Sequence, residues 1–286
     1  MPRSPELSSP VRHRALFLLL VALAASVGFA QTGKFGQPAD QAASGHADQA
    51  EGARILEAYR DAGIAGDYWL GFELRVMPRQ GSERTVPGTM WGMRGVSGAL
   101  SRLSVGGQSW LIESGPQPEA WTTGPAGDAV AAKAGDALAG TGVTVFDLQM
   151  PFRYWTDFTY EGQAKVRGRP THSFILRPPP GFVPPEPGLT GVRVLVDAQF
   201  QSAMVQAELL GAKGVAIKTI TLLDLKQVGE QWIPKEIDFR NLQTRDKTRF
   251  TVTAVALGLK LPVTAFAPDN LRAEPPTTPP DKVVRF

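Results

Sequence analysis

The chain reads as an α+β protein built on one curled antiparallel sheet of about 11 strands with a helical cover. Three observations predict this class. Apolar and polar residues alternate with a period of two from Tyr68 onward. The links between the alternating segments are of hairpin length, whereas parallel crossovers need a dozen or more residues. Two segments break the alternation with helical spacing, one ahead of the strands and one among them.

The first residues are set apart from that domain. Arg12, His13 and Arg14 precede an apolar core from Ala15 to Val27, and Gly28-Phe29-Ala30 supplies small residues at cleavage positions. This is the pattern of an export signal cleaved after Ala30, because the apolar run falls short of the about 20 residues a spanning helix requires. Residues 31–47, rich in Gln, Ala, Gly and Asp, form an expected flexible leader. The chain has no cysteine, so neither disulfides nor a lipidated N-terminal cysteine is expected, and stability rests on a hydrophobic core. Arg3, Arg12, Arg14 and Glu6 take a net +2 of the formal +3 with the signal. The nearly neutral remainder gives no electrostatic ground for nucleic acid as a partner.

Residues 48–272 form the expected single domain. Asp48 to Ala62 predicts a helix, with Ile55, Leu56 and Tyr59 on one stripe and Gly63 as its stop. Leu70, Phe72 and Leu74 then share one face of the first strand while Glu73 and Arg75 take the other, and Pro78 ends it. Phe158 and Tyr160 open a second clear alternation that runs to Val166. Further strands are expected over Thr89–Arg94, Ala99–Val105, Gln108–Glu113, Thr171–Arg177, Val192–Val196, Ala203–Leu209, Val215–Leu225, Trp232–Leu242 and Lys247–Leu257. Asp128 to Phe152 is Ala-rich and then apolar at helical spacing through Val143, Phe146 and Met150, so one or two helices are expected across the sheet. Residues 273–286, which include Glu274-Pro275-Pro276-Thr277-Thr278-Pro279-Pro280, are expected to be an extended tail.

Catalytic chemistry finds few candidates. Of three histidines only His172 lies in the folded part, and it shares a strand face with Phe174 and Leu176 as an ordinary sheet residue would. No Gly-x-Ser-x-Gly elbow accompanies it. The usual zinc ligands are Cys and His, so no metal is expected, and the Gly-rich stretches at Gly92–Gly98 and Gly211–Gly214 lack the phosphate-loop lysine pattern. Glu161 with Asp157, and Glu236 with Asp238, fit solvated strand positions as well as a paired-acid site. No catalytic residue and no cofactor are expected.

Asp147-Leu148-Gln149-Met150-Pro151-Phe152-Arg153-Tyr154-Trp155, followed by Tyr160-Glu161-Gly162 and Gly168-Arg169-Pro170, resembles the outer-membrane lipoprotein-sorting, or LolA-like, family in a largely uncharacterised branch. Pro178-Pro179, Trp232-Ile233-Pro234-Lys235 and Arg240-Asn241 extend the similarity, which runs from about Trp69 to Leu271. The resemblance implies a half-open antiparallel barrel whose concave apolar face is closed by helices and accepts lipid acyl chains. It matches the carriers' lid-latching arginine to no particular position.

On that basis Leu70, Phe72, Leu74, Phe158, Tyr160, Phe174, Leu176, Val194 and Val196 are the expected lining, with Phe152, Tyr154 and Trp155 at a lid or its hinge. The implied role is a non-enzymatic periplasmic carrier of lipid or lipoprotein acyl chains, served by an inner-membrane exporter and an outer-membrane acceptor. An accessory subunit of a membrane exporter or envelope assembly with a filled core is the alternative, and a hydrolase centred on His172 a distant one.

Overall fold

The computed structural model describes residues 47–199 and 203–286; the expected export signal (1–30) and all but the last residue of the expected leader (31–47) lie outside them. The described chain begins with helix α1, Gln49–Asp61, whose first turn is capped by the Asp48 carboxylate accepting from the amides of Ala50 and Glu51. Gly52, Ile55, Leu56 and Tyr59 form its buried stripe. The helix stops at Asp61, before Gly63, and carbonyls at its end accept from the Arg153 guanidinium.

The strands build one curled antiparallel sheet, as the alternation predicts. They are β1 (Asp67–Met77), β2 (Arg84–Arg94), β3 (Ala99–Val105), β4 (Gln108–Glu113), β5 (Glu119–Thr123), β6 (Ala129–Ala131), β7 (Asp157–Val166), β8 (Arg169–Arg177), β9 (Gly191–Asp197), β10 (Met204–Leu210), β11 (Ala216–Val228), β12 (Gln231–Asn241), β13 (Lys247–Leu259) and β14 (Val284–Arg285). The spatial order is β6-β5-β4-β3-β2-β1-β13-β12-β11-β10-β9-β8-β7, with β14 added alongside β13. One wing winds outward from β1, the other returns to β1 through β13, and β6 and β7 are the two ends of the ladder. The sheet is not closed.

Three strands go beyond the predicted eleven. β5 and β6 are short and flanked by Pro116, Pro118, Gly124 and Gly127, which conceal the alternation; β14 lies in the proline-rich tail. The Ala-rich segment gives less helix than expected. β6 falls inside it, and the only α-helix there is α2, Val145–Gln149, preceded by a 3-10 turn at Leu138–Gly140 and followed by another at Pro151–Tyr154. Gly135, Gly140 and Gly142 explain the difference, because each lowers helix stability by about 1 kcal/mol relative to Ala.

The concave face holds the main core, to which both helices and almost every strand contribute. On the convex side Trp91, Leu111, Phe266 and Leu271 form a second, smaller cluster. There the buried Arg102 donates to the carbonyls of Ala265, Leu271 and Ala273 and fastens the segment after β13 across β3.

Candidate functional site

The concave face gathers the predicted lining residues. Leu70, Phe72 and Leu74 rise from β1 at the centre of the sheet, Tyr160 from β7, Phe174 and Leu176 from β8, and Val194 and Val196 from β9; all are buried in one cluster, with Phe158 packed against it. Phe72 stacks on Phe250 of β13 at 4.6 Å between ring centres, and Tyr160 on Phe174 at 5.0 Å. The same face continues through Ile220, Phe239, Phe250 and Val252, which belong to this surface although sequence reasoning left them out. The alternation of β11 to β13 carries the same signal, diluted by the ion-paired residues between.

The stretch Asp147–Trp155 forms the cover. Phe152 and Trp155 are buried in the concave cluster and Tyr154 is half-buried. Phe146, Phe152, Trp155 and Phe182 form an aromatic chain with ring centres 5.2–6.4 Å apart. The polar members of the stretch tie the cover down. Thr144 and Asp147 cap α2 reciprocally, and the same Asp147 Oδ2 accepts from Lys218 Nζ of β11 at 2.5 Å, with side chains 0% and 5% exposed. Asp147 Oδ1 has no hydrogen-bond partner. Gln149 Nε2 donates to the carbonyls of Glu113 and Glu119 at 3.3 and 3.0 Å. Met150 ends α2 in the left-handed region at φ 45°, turning the chain directly into the Pro151 turn.

Arg153 joins this cover to α1. Its Nη2 donates to the carbonyls of Tyr59, Arg60 and Ala62 at 2.7, 3.1 and 2.6 Å, and its guanidinium lies over the Tyr59 ring at 4.8 Å. Arg60 answers from α1, donating to the carbonyls of Arg153 and Trp155. The Arg153 guanidinium thus caps the carbonyl end of α1. At the other end of α1 the Gln49 carboxamide bonds both the amide and the carbonyl of Tyr160, at 2.9 and 2.8 Å, as a neighbouring strand would. Gly52 permits that approach, since a Cβ there would lie 2.6 Å from Tyr160 Cβ.

His172 Nδ1 lies 2.7 Å from the Tyr160 hydroxyl, within the concave core. Burial pushes the imidazole below its ordinary pKa and raises that of the tyrosine. The neighbouring Ser173 hydroxyl donates to Glu161 instead. Glu161 pairs with Arg193, Asp157 with Arg177, and Glu236 and Asp238 with Arg249, so the candidate acids sit in ion pairs. Among the described residues no group of three His, Cys, Asp or Glu side chains is placed to hold a metal, and no helix is long and apolar enough to cross a membrane.

A cleft of about 470 Å³ lies beside the cover, within the size range of ligand pockets. Ala120 and Trp121 of β5, Phe146, Gln149 and Pro151 of the cover, and Phe182 from the loop after β8 line it. It therefore joins the free β6 end of the sheet to the aromatic chain of the cover.

A protein-family model described as "Uncharacterized protein" matches residues 105–273. No curated protein matches the chain by sequence. Among solved structures, a domain described as an outer membrane lipoprotein-sorting protein from Vibrio parahaemolyticus superposes with a TM-score of 0.64 at 20% identity, covering 78% of this chain and 97% of its own. A DUF1329 family protein from Desulfovibrio piger gives 0.66 at 11% identity, over 76% and 96%. A LolA superfamily protein from Nitrosomonas europaea gives 0.58 at 15%, over 75% and 96%. At these identities the likeness speaks for the fold. The chain belongs to the uncharacterized-protein family whose model spans residues 105–273, and it carries the fold of the LolA-like lipoprotein-sorting proteins.

Proposed function

We propose that the chain is a non-enzymatic carrier of lipid or lipoprotein acyl chains that works in the periplasm after its signal is cleaved at Ala30. The observation that carries this reading is an apolar concave face that spans an unclosed sheet and is covered, among the described residues, by two helices. Leu70, Phe72, Leu74, Phe158, Tyr160, Phe174, Leu176, Val194 and Val196 would face the chain once the cover lifts, and Phe152, Tyr154 and Trp155 would move with it. The cleft beside Phe146 and Phe182 is the natural point of entry. An inner-membrane exporter and an outer-membrane acceptor would set the direction of transfer, because a bilayer and an apolar cavity offer an acyl chain similar transfer energy.

Native mass spectrometry of residues 31–286 purified from a cell envelope, followed by lipid extraction, tests the reading. Co-purified lipid that is lost in Phe182→Asp, and in Phe72→Asp where that variant folds, is the expected result. A correctly folded chain that emerges empty overturns it. The burial of Phe72, Phe174 and Val194 to 2% exposure or less favours the second reading, an accessory subunit with a filled core, and the empty result would select it. His172→Ala separates off the hydrolase: any activity found should survive the substitution.

A further inference from the structure

β13 outruns its neighbour. β12 pairs with it only from Arg240↔Lys247 to Glu236↔Thr251 and then continues as a hairpin arm with β11. β13 carries on to Leu259 against β1, with Thr253 as the extra residue of a bulge opposite Gly71 and Phe72. The two strands thus diverge at the bulge and leave a wedge along the β12 side of β13. An unpaired edge of this kind invites another strand.

The chain's own tail sits in that wedge. Val284 and Arg285 pair with Val255 and Ala254, and the Phe286 amide donates to the Thr253 carbonyl at 2.9 Å. Lys235 Nζ donates to the Val252 carbonyl at 2.8 Å and lies 4.4 Å from the centre of the Phe286 ring; Lys226 Nζ approaches the same ring at 5.8 Å. Lys282 Nζ takes the Gly258 carbonyl. Yet Val284 and Phe286 remain 47% and 38% exposed. The tail is held by backbone bonds and cation–ring contacts rather than by burial, and it arrives on a proline-rich segment that is already extended when free.

We propose that the wedge is an acceptor site for an extended segment of a partner protein, and that the C-terminal tail holds it closed in cis until that segment replaces it by strand addition. The recognised pattern is an aliphatic residue followed two positions later by an aromatic one, set by the Val255 pairing and the two-lysine cradle. Lys226 and Lys235 make the rim cationic, so acidic positions in the partner's segment improve on the tail's own Arg285. A short tether gives the tail a local concentration in the millimolar range, so a weak intrinsic affinity is enough to keep the wedge occupied.

The test uses the full chain and a labelled peptide of residues 281–286. In Val284→Asp/Phe286→Ala the tail is released, and fluorescence anisotropy should show the peptide binding about tenfold or more tightly than to the wild type, whose tail competes in cis. An Arg285→Glu peptide should bind more tightly than its parent, and Lys235→Glu in the opened chain should abolish binding. Equal affinity for wild-type and opened chains, or none for either while near-ultraviolet circular dichroism stays native, overturns the proposal. A concentration-dependent wild-type dimer that disappears in the opened chain also overturns it, assigning the wedge to a second copy's tail. Should the double variant fold poorly, Phe286→Ala alone carries the comparison.

Discussion

Replacing Lys218 with Met isolates the tether beneath α2. The substitution preserves the apolar stem and removes the ammonium that lies 2.5 Å from Asp147 Oδ2. Asp147 is then left in the core with its Oδ1 still unpartnered and only the Thr144 amide, at 2.7 Å, on Oδ2. Removing one member of a buried pair costs about 3–5 kcal/mol, because the other remains as an uncompensated charge. For a domain of this size each kcal/mol moves Tm by about 2–4 °C, so a fall of roughly 6–20 °C is expected. The double variant Lys218→Met/Asp147→Asn should regain most of the loss, since an amide keeps the cap on the Thr144 amide without burying a charge. Urea denaturation of the wild type, both single variants and the double variant closes the cycle, and hydrogen exchange at the α2 amides locates the effect. A loss below about 1 kcal/mol for Lys218→Met, or a double variant as unstable as the sum of the singles, would refute the argument that the pair is desolvated and mutually dependent.

Arg153→Met should free three carbonyls at the end of α1 and cost about 2–4 kcal/mol, with faster exchange in the last turn of the helix and little rescue by Lys, which lacks the fork that reaches all three. Gly52→Ala should destabilise by about 1–3 kcal/mol despite its better helix propensity, because the new Cβ meets Tyr160 Cβ at 2.6 Å; thermal unfolding reads the sign directly. His172 is held below its ordinary pKa by burial, so between the lowered folded value and the unfolded value near 6.5 the unfolded state binds the extra proton. Its contribution is therefore fully present above about pH 6.5 and lost as the pH falls through the folded value, so His172→Gln should narrow the stability difference between about pH 7.5 and 5 measured by urea titration.

Elements with strong local contrast were legible in the sequence. β1 alternates sharply, and α1 carries Ile55, Leu56 and Tyr59 one turn apart between polar residues; β7 keeps its expected face only as far as Tyr160, where a bulge turns Ala164 and Val166 into a separate cluster with Leu195 and Val205. β5 and β6 were not, since such short strands among glycines and prolines present too few alternations to stand out. The Ala-rich stretch misled in the other direction: alanine favours helix only where glycine does not interrupt it. The apolar concave face followed from periodicity. Its tethers did not, because the Lys218–Asp147 pair joins residues 71 positions apart, and neither position differs locally from a solvated lysine or a helix-capping aspartate. The docking of the tail was hidden for a related reason. Proline marks Glu274–Pro280 as extended, but only the divergence of β12 from β13 supplies a place for Val284, Arg285 and Phe286 to pair.

The division of labour between apolar and polar contacts bears on how the cover would open in the proposed carrier. Val145, Phe146, Phe152 and Trp155 are the buried apolar side chains of α2 and the turn after it, and exposing these four groups while α1 stays in place costs about 6–12 kcal/mol at roughly 1.5–3 kcal/mol each. A chain of about 16 carbons entering the vacated face from water returns roughly 12 kcal/mol at about 0.8 per methylene and offsets that cost, whereas a chain drawn from a bilayer gives up a similar transfer energy and returns little. The ion pair adds little to the opening cost when Lys218 and Asp147 separate together into water, because each recovers the hydration it gave up on burial. It is expensive only when one partner is missing. A buried pair in this position therefore sets where α2 seats without greatly deepening the closed state, whereas an apolar pair of equal volume would deepen the closed state and shift the exchange against the ligand. Lys218→Met/Asp147→Leu is the variant that distinguishes these two roles: on the carrier reading it should preserve or raise Tm while reducing the lipid recovered with the protein.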